Sequence, residues 1–242
     1  MASKYNLETR DERIERMHRN NPGRPIELCT AVVDAIWDKR RELINSKIPD
    51  RFADASLADL GYLTKEVVDS VQVMFDPPAK DNDKVGVIFC GPAGSGKTHA
   101  AYAVIHAIRD KNPEMIAFMT TYSNVFTALK SEFMSDSHDE MSSMWDRLNN
   151  DSGMYDGLLF IDDLSSQKLT DFEADKMTMF IDNRVNSYMP FMITTNVKPE
   201  DFKMVFGDRL ASRLLGFCEI VLFSERDLRM DPIEEEEKTG TE

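Results

Sequence analysis

Cysteine is scarce in this chain. Cys29, Cys90 and Cys218 are the only three, far apart and without a C-x-x-C pair. An odd, scattered set excludes a disulfide framework and argues against a structural zinc; it fits a reducing compartment, so a cytoplasmic location is expected. No run of 18 apolar residues occurs, which excludes a membrane-spanning helix. The polar, mixed-charge start MASKYNLETRDERIERMHRNN does not read as a secretory signal, and no membrane partner is expected. Internal repeats are absent. Basic charge is short as well: 29 Lys and Arg against 43 Asp and Glu give a net charge of −14. A protein that coats duplex DNA through counterion release is normally basic, so any nucleic-acid contact here must be local.

What is present is core material. Hydrophobic residues make up 42% of the 242, and the length suits one α/β domain with a small extension. Residues 1–47 read as a helical amino-terminal extension. Asn21-Pro22-Gly23-Arg24-Pro25 separates a charged segment, Asp11 to Arg19, from a longer helix beginning near Ile26. On the latter Leu28, Val32, Val33, Ile36, Trp37, Leu43 and Ile44 recur near the 3.6-residue period. So short a segment cannot hold an independent core, and its apolar stripe docks either on the rest of the chain or on a partner. Residues 48–230 form the main domain. Residues 231–242 carry six acids against one lysine, the composition of a solvated, disordered tail.

The octapeptide Gly91-Pro92-Ala93-Gly94-Ser95-Gly96-Lys97-Thr98 follows the apolar run Val85 to Cys90 and opens a helical pattern at His99-Ala100-Ala101. Strand, glycine loop, lysine, hydroxyl and helix is the context that makes G-x-x-x-x-G-K-[ST] a phosphate site. Backbone N–H groups of the loop cradle oxyanions, and the helix adds its positive end. Residues Gly91 to His99 are thus the candidate nucleotide contacts, with Lys97 reaching the β- and γ-phosphates of ATP and Thr98 ligating Mg²⁺.

Such a site needs a carboxylate at the end of a neighbouring buried strand. Leu158-Leu159-Phe160-Ile161 is an uninterrupted apolar run ending in Asp162-Asp163, as a parallel strand covered on both faces should read. Asp162 is expected to hold Mg²⁺ through water and Asp163 to act on the attacking water. Around these, strands at Val85–Cys90, Met115–Thr120, Gly157–Ile161, Pro190–Thr194 and Phe217–Phe223 alternate with helices to about Lys111, from Ser123 (as N-cap) to Met134, from Asp171 to Ser187 and from Asp201 to Leu215. The third of these carries Phe172, Met177, Phe180, Ile181 and Val185 along one side. Ile48 to Phe52 begins an extended stretch, and Ser135 to Gly153 is an acidic insertion. Alternation of this kind implies a parallel sheet between two helical layers.

Three more features stand out. Phe191 to Asn196 is an apolar strand with a polar end; were it to lie between the strands of the glycine loop and of Asp162, Asn196 would sit beside the terminal phosphate. Arg209 and Arg213 share one helical face at i and i+4, a spacing that commonly makes surface salt bridges. Arg226 and Arg229 close the folded part.

Together and in this order the motifs resemble the AAA+ ATPases, and within them the DnaA/DnaC/IstB group, most like the DnaC-type helicase loaders. Ile48 to Phe52 with Ala55-Ser56-Leu57 looks like the loaders' lead-in segment, Leu158 to Leu164 like the Walker B strand, Ile193 to Asn196 like sensor 1. Asp208 to Gly216 is similar to the box that carries the arginine finger, which by position is Arg213, with Arg209 a turn earlier. Arg226 to Arg229 is similar to the motif ending the core, with Arg229 the sensor 2 candidate. The resemblance implies an αβα sandwich with a five-stranded parallel sheet and, from the few residues after Arg229, no carboxy-terminal helical lid. Asp163 departs from the usual glutamate by one methylene, which implies slow turnover.

The resemblance further implies an ATPase that assembles as a homo-oligomer with a finger donated in trans, and that delivers a replicative DNA helicase, gripped through residues 1–47, onto single-stranded DNA. The helix Ser123–Met134 would face that DNA with Lys130 as its one base. A transposition helper of the IstB type, and a nucleotide-gated interaction module with little turnover, are the alternatives.

Overall fold

Five short apolar runs build one sheet. In the computed structural model, which describes residues 10–45, 48–75, 84–111, 117–134, 157–164 and 167–224, β1 (Gly86–Cys90), β2 (Ala117–Thr121), β3 (Leu158–Leu164), β4 (Phe191–Thr195) and β5 (Cys218–Leu222) are all parallel. Their order is β2-β3-β4-β1-β5. The central strands β1 and β4 are buried along their whole length, because helices cover both faces and every side chain of a parallel strand must be accommodated.

Strand alternation divides the core in two. Val87 and Phe89 of β1, Leu158 and Phe160 of β3 and Met192 of β4 point to one face, with Val67, Val71, Ala101 and Ile105 of the covering helices. Those helices are α3 (Thr64–Phe75) and α4 (Lys97–Lys111). Ile88, Leu159, Ile161 and Ile193 point to the other face, against α5 (Tyr122–Met134), α6 (Asp171–Asn186), α7 (Phe202–Phe206) and α8 (Asp208–Phe217). The result is the expected three-layer αβα sandwich. Phe89, Phe160, Phe180 and Phe191 are essentially inaccessible, each contributing about 1.5–3 kcal/mol of transfer free energy.

At the amino-terminal side, α1 (Arg10–Asn20) and α2 (Ile26–Asn45) pair through Ile14 and Met17 against Cys29 and Val33. α2 also meets β2 at the sheet edge. Ile26 and Leu28 are about half exposed, so the expected stripe is only partly covered; its members Ile36, Trp37, Leu43 and Ile44 lie outside the described side chains.

The structure corrects several local expectations. The stretch after Ile48 is not extended: it makes 3-10 turns at Asp50–Phe52 and Leu57–Leu63 and then enters α3; Ser56 caps the second of these turns, accepting from Ala58 N–H while Asp59 accepts from Ser56 N–H. The helix after β2 is capped by Thr121 Oγ1, which accepts from Asn124 N–H at 3.2 Å, rather than by Ser123. Phe172 is 41% exposed and does not join the core side of α6. The last helix is broken at Gly207, whose φ of 81° turns the chain between α7 and α8 through a conformation glycine adopts freely. Residues 135–153 and 225–242, and with them Arg229, the insertion and the acidic tail, lie outside the described residues.

Candidate functional site

The glycine loop joins the carboxyl end of β1 to α4. Gly91 N–H donates to Thr195 O at 3.2 Å and Ser95 N–H to Pro92 O at 3.4 Å, while Gly94 and Gly96 take φ of 81° and 93°, as a loop that turns its amides inward requires. A Cβ on Gly91 would lie 2.8 Å from Phe223 Cβ and 2.9 Å from Phe223 O, so no larger residue fits there. Lys97 begins α4 and is buried; its Nζ donates to Pro92 O at 2.6 Å and contacts Ser95 Oγ at 3.5 Å. The ammonium thus lies folded over the loop it follows. Behind the loop, burial pushes the Cys90 thiol up to about 12, which makes it an inert core group.

Next to Lys97 the loop meets the sheet. Thr98 Oγ1 donates to Asp162 Oδ1 at 2.9 Å. β3 does not end at Asp162, as the apolar run suggests, but continues to Leu164 through a bulge. Ile161 is opposite Ile193 and Leu164 opposite Thr195, so Asp162 and Asp163 together face the single residue Thr194. Asp163 sits at φ 57°, a left-handed conformation that aspartate tolerates better than most residues. Thr194 Oγ1 donates to Asp162 Oδ1 at 2.6 Å and accepts from Asp163 N–H at 2.8 Å. One strand position later, Thr195 Oγ1 donates to Leu164 O at 3.0 Å.

Asn196 follows β4, and β4 lies between β1 and β3, so the condition set for Asn196 is met. Its Nδ2 donates to Asp163 Oδ1 at 3.3 Å. Thr98, Asp162, Asp163 and Asn196, drawn from three sequence segments, form one hydrogen-bonded cluster at the carboxyl ends of β1, β3 and β4, beside Lys97, which bonds within the glycine loop. Thr194, its link, was not singled out from sequence; the only signal was a second hydroxyl beside Asn196.

The donor set suits magnesium. Thr98 spends its proton on Asp162 and keeps its oxygen lone pairs, and both residues are hard oxygen donors. Among the described residues no cluster of three His, Cys, Asp or Glu side chains could hold a metal. Magnesium characteristically takes one or two protein oxygens and completes its shell with phosphate and water.

His99 points away from the loop. Its Nε2 is 3.1 Å from Asp59 Oδ2, and its ring meets Phe52 edge-on at 6.3 Å. Phe52 in turn stacks on Tyr102 at 4.5 Å, carries the Arg51 guanidinium at 4.6 Å, and its carbonyl contacts His106 Nε2 at 2.9 Å. The lead-in segment is therefore held on α4 along His99, Tyr102 and His106, in the helix that Lys97 and Thr98 open. The Ser56 amide, and after it His99, hold the Asp59 carboxyl below its ordinary range.

Arg209 and Arg213 are on the surface of α8, facing α6 of their own chain. Arg213 Nε lies 2.6 Å from Asp182 Oδ1 but off the N–H axis, an ion pair rather than an aligned hydrogen bond. Its guanidinium sits 5.9 Å from the Phe217 ring. Arg209 is 3.8 Å from Asp175, both side chains largely exposed. The structure does not bring either arginine to the Lys97–Asp162 cluster. Lys130 on α5 is 3.8 Å from Glu173.

Residues 39–231 match the family of IstB-like ATP binding proteins. The replicative helicase loader DnaC of Escherichia coli strain K12 is 27% identical over 145 residues, 60% of this chain and 56% of that protein; the chain thus spans little more than half the length of the curated relatives it matches. Among solved structures, the DnaC helicase loader superposes with a TM-score of 0.56 at 21% identity over 73% of this chain and 100% of that one. DnaI superposes with a TM-score of 0.58 at 17% identity over 74% and 95%. At these identities the two structures share the fold.

Proposed function

This chain belongs to the IstB-like ATP-binding family, and from that premise we propose that it is a Mg²⁺-dependent AAA+ ATPase that assembles on ATP and delivers a replicative DNA helicase onto single-stranded DNA. The observation that carries the reading is the link from Thr98 to Asp162, joined through Thr194 to Asp163 and on to Asn196, with the Lys97 ammonium folded over the adjoining glycine loop. Each part has a task in phosphoryl transfer to water, a reaction governed by positioning and charge neutralisation. Lys97 exchanges the Pro92 carbonyl for phosphate oxygens. Thr98 and Asp162 hold the cation, which when bound neutralises charge on the β- and γ-phosphates. Asp163, steadied by Asn196, takes the proton of the attacking water.

The positive charge still needed at the terminal phosphate comes, in this reading, from Arg213 of an adjoining copy. Its place on an outer helix of its own subunit, away from the Lys97 cluster, supports donation in trans. A head-to-tail contact of this kind is heterologous and closes into a ring or runs on as a spiral. The helicase partner rests on the similarity to DnaC, and residues 1–47, with a helix pair exposing Ile26 and Leu28, are the proposed grip. The pairing of Lys130 with Glu173 weakens the case for α5 as the DNA-facing element.

The matching family is named for IstB, which favours a second reading, a transposition helper that prepares target DNA. The deciding experiment measures ATP hydrolysis with single-stranded and with duplex DNA, and tests retention of a hexameric replicative helicase by the immobilised chain with ATP. Helicase retention with stimulation by single strands supports the loader; duplex stimulation without retention selects the transposition helper.

A further inference from the structure

A bulge removes ladder partners. With two residues of β3 opposite one of β4, the extra residue's amide has no carbonyl in the regular position and turns to another acceptor. At Asp163 that acceptor is the Thr194 hydroxyl at 2.8 Å. The same hydroxyl has one proton, and it goes to Asp162 Oδ1 at 2.6 Å. Thr194 itself is 1% exposed, so its hydroxyl sits at the inner end of both bonds, while Asp162 is partly and Asp163 largely open to solvent. The hydroxyl's capacity as donor is spent on one carboxylate and its acceptance on the backbone of the next.

We infer that Thr194 is a positioning residue for the magnesium site: its hydroxyl fixes the Asp162 carboxylate against Thr98 and holds Asp163 in its left-handed conformation, so that both carboxylates present one geometry. This deepens the functional reading and rests on it, since it takes Asp162 as the residue that holds the cation. Asp162 Oδ1 accepts two hydroxyl protons, from Thr98 at 2.9 Å and from Thr194, and among the described residues Oδ2 accepts none. The carboxylate is therefore tied down by one oxygen, with the other left for water of the metal shell. Valine at 194 would keep the shape of the side chain and its packing, but would leave Asp162 held by Thr98 alone and take from the Asp163 amide its protein acceptor.

The test uses the full chain and a fluorescent ATP analogue, with affinity measured in EDTA and in excess Mg²⁺. The readout is the ratio of the two affinities within each variant, from which a general loss of stability cancels. In Thr194→Val this Mg²⁺-dependent gain should fall about tenfold or more, the usual consequence of losing an outer-shell partner. Thr194→Ser should restore most of it. Thr194→Cys, close in volume and only a weak donor, provides a second hydroxyl-free chain should the valine variant melt early, and the gain must fall there too. A gain unchanged in Thr194→Val or Thr194→Cys while Asp162→Asn loses it overturns the role of Thr194 alone. Retention of the wild-type gain by Asp162→Asn overturns the assignment of Asp162, and Thr194's role with it.

Discussion

Thr98 Oγ1 donates to Asp162 Oδ1 at 2.9 Å, tying the first turn of α4 to the end of β3. Between these residues the chain builds the rest of α4, then β2, α5 and most of β3, yet the parallel order β3-β4-β1 brings their polar ends to one edge of the sheet. Ligand sites in open α/β sheets collect at the carboxyl ends of the strands for this reason. Lys97 is folded over Pro92, with its ammonium already buried at that edge.

Lys97→Ala should abolish binding of ATP, measured by calorimetry, with the fold intact by circular dichroism. The lysine is the one cation seated in the loop, and its removal leaves only amide dipoles for the phosphates. Retained micromolar binding would refute the assignment of the loop.

Gly91→Ala tests the loop's steric requirement. The added carbon would lie 2.8 Å from Phe223 Cβ and 2.9 Å from Phe223 O, and Phe223 N–H is bound to Cys90 O at 2.7 Å. Neither backbone can give way without breaking the β1–β5 register, so a loss of about 1–3 kcal/mol is expected from overpacking. Urea unfolding with an unchanged slope would measure it.

Much of this was legible in the sequence, for physical reasons that differ by element. The glycine loop and the apolar strands declare themselves, because full burial demands unbroken apolar runs and phosphate cradling demands glycine. Asn196 could be placed once the strand order was guessed. The bulge at Asp162-Asp163 could not, since it arises from pairing with β4 and leaves no local trace beyond two adjacent carboxylates. The break at Gly207 was legible only in retrospect, as one glycine in a helical pattern carries no fixed meaning. Phe172 fits the 3.6-residue period, yet it lies in the first turn of α6 and stays 41% exposed. The surface pairing of Arg209 and Arg213 followed from their spacing, whereas Asp175 and Asp182 as partners required the packing of α6 on α8.

The lead-in segment should respond to acid. Asp59 has its carboxyl held below the ordinary value of 3.8 by Ser56 N–H and then by His99. A lowered folded-state value means that this contact contributes its full stability above the ordinary value and loses it as pH falls through the lowered one. Hydrogen exchange of residues 50–63, corrected for intrinsic rates, should therefore rise below about pH 3.8. In Asp59→Asn that acid step should vanish. An identical step in the variant would assign it to another group.

Asp182→Asn removes the charge that holds Arg213. A half-exposed ion pair is worth at most about 1 kcal/mol, so fold stability should barely change. In the trans-finger reading the freed arginine is easier to donate, and ATP-dependent assembly should move to lower protein concentration, by up to about fivefold for that energy. Sedimentation velocity across a dilution series reads the shift. Assembly that weakens instead would mean that Asp182 itself belongs to the contact.

The most direct measurement mixes two inactive variants. Arg213→Ala should bind ATP and lose hydrolysis by about 10³–10⁵; Asp163→Asn should bind ATP and also fail to turn over, while still carrying its arginine. In an equimolar mixture about a quarter of the head-to-tail contacts combine an intact site with an intact finger, so hydrolysis should reappear at about that share of the wild-type rate. A mixture as inactive as its parts, or Arg213→Ala turning over fully on its own, would contradict a nucleotide site completed by a second copy of this chain.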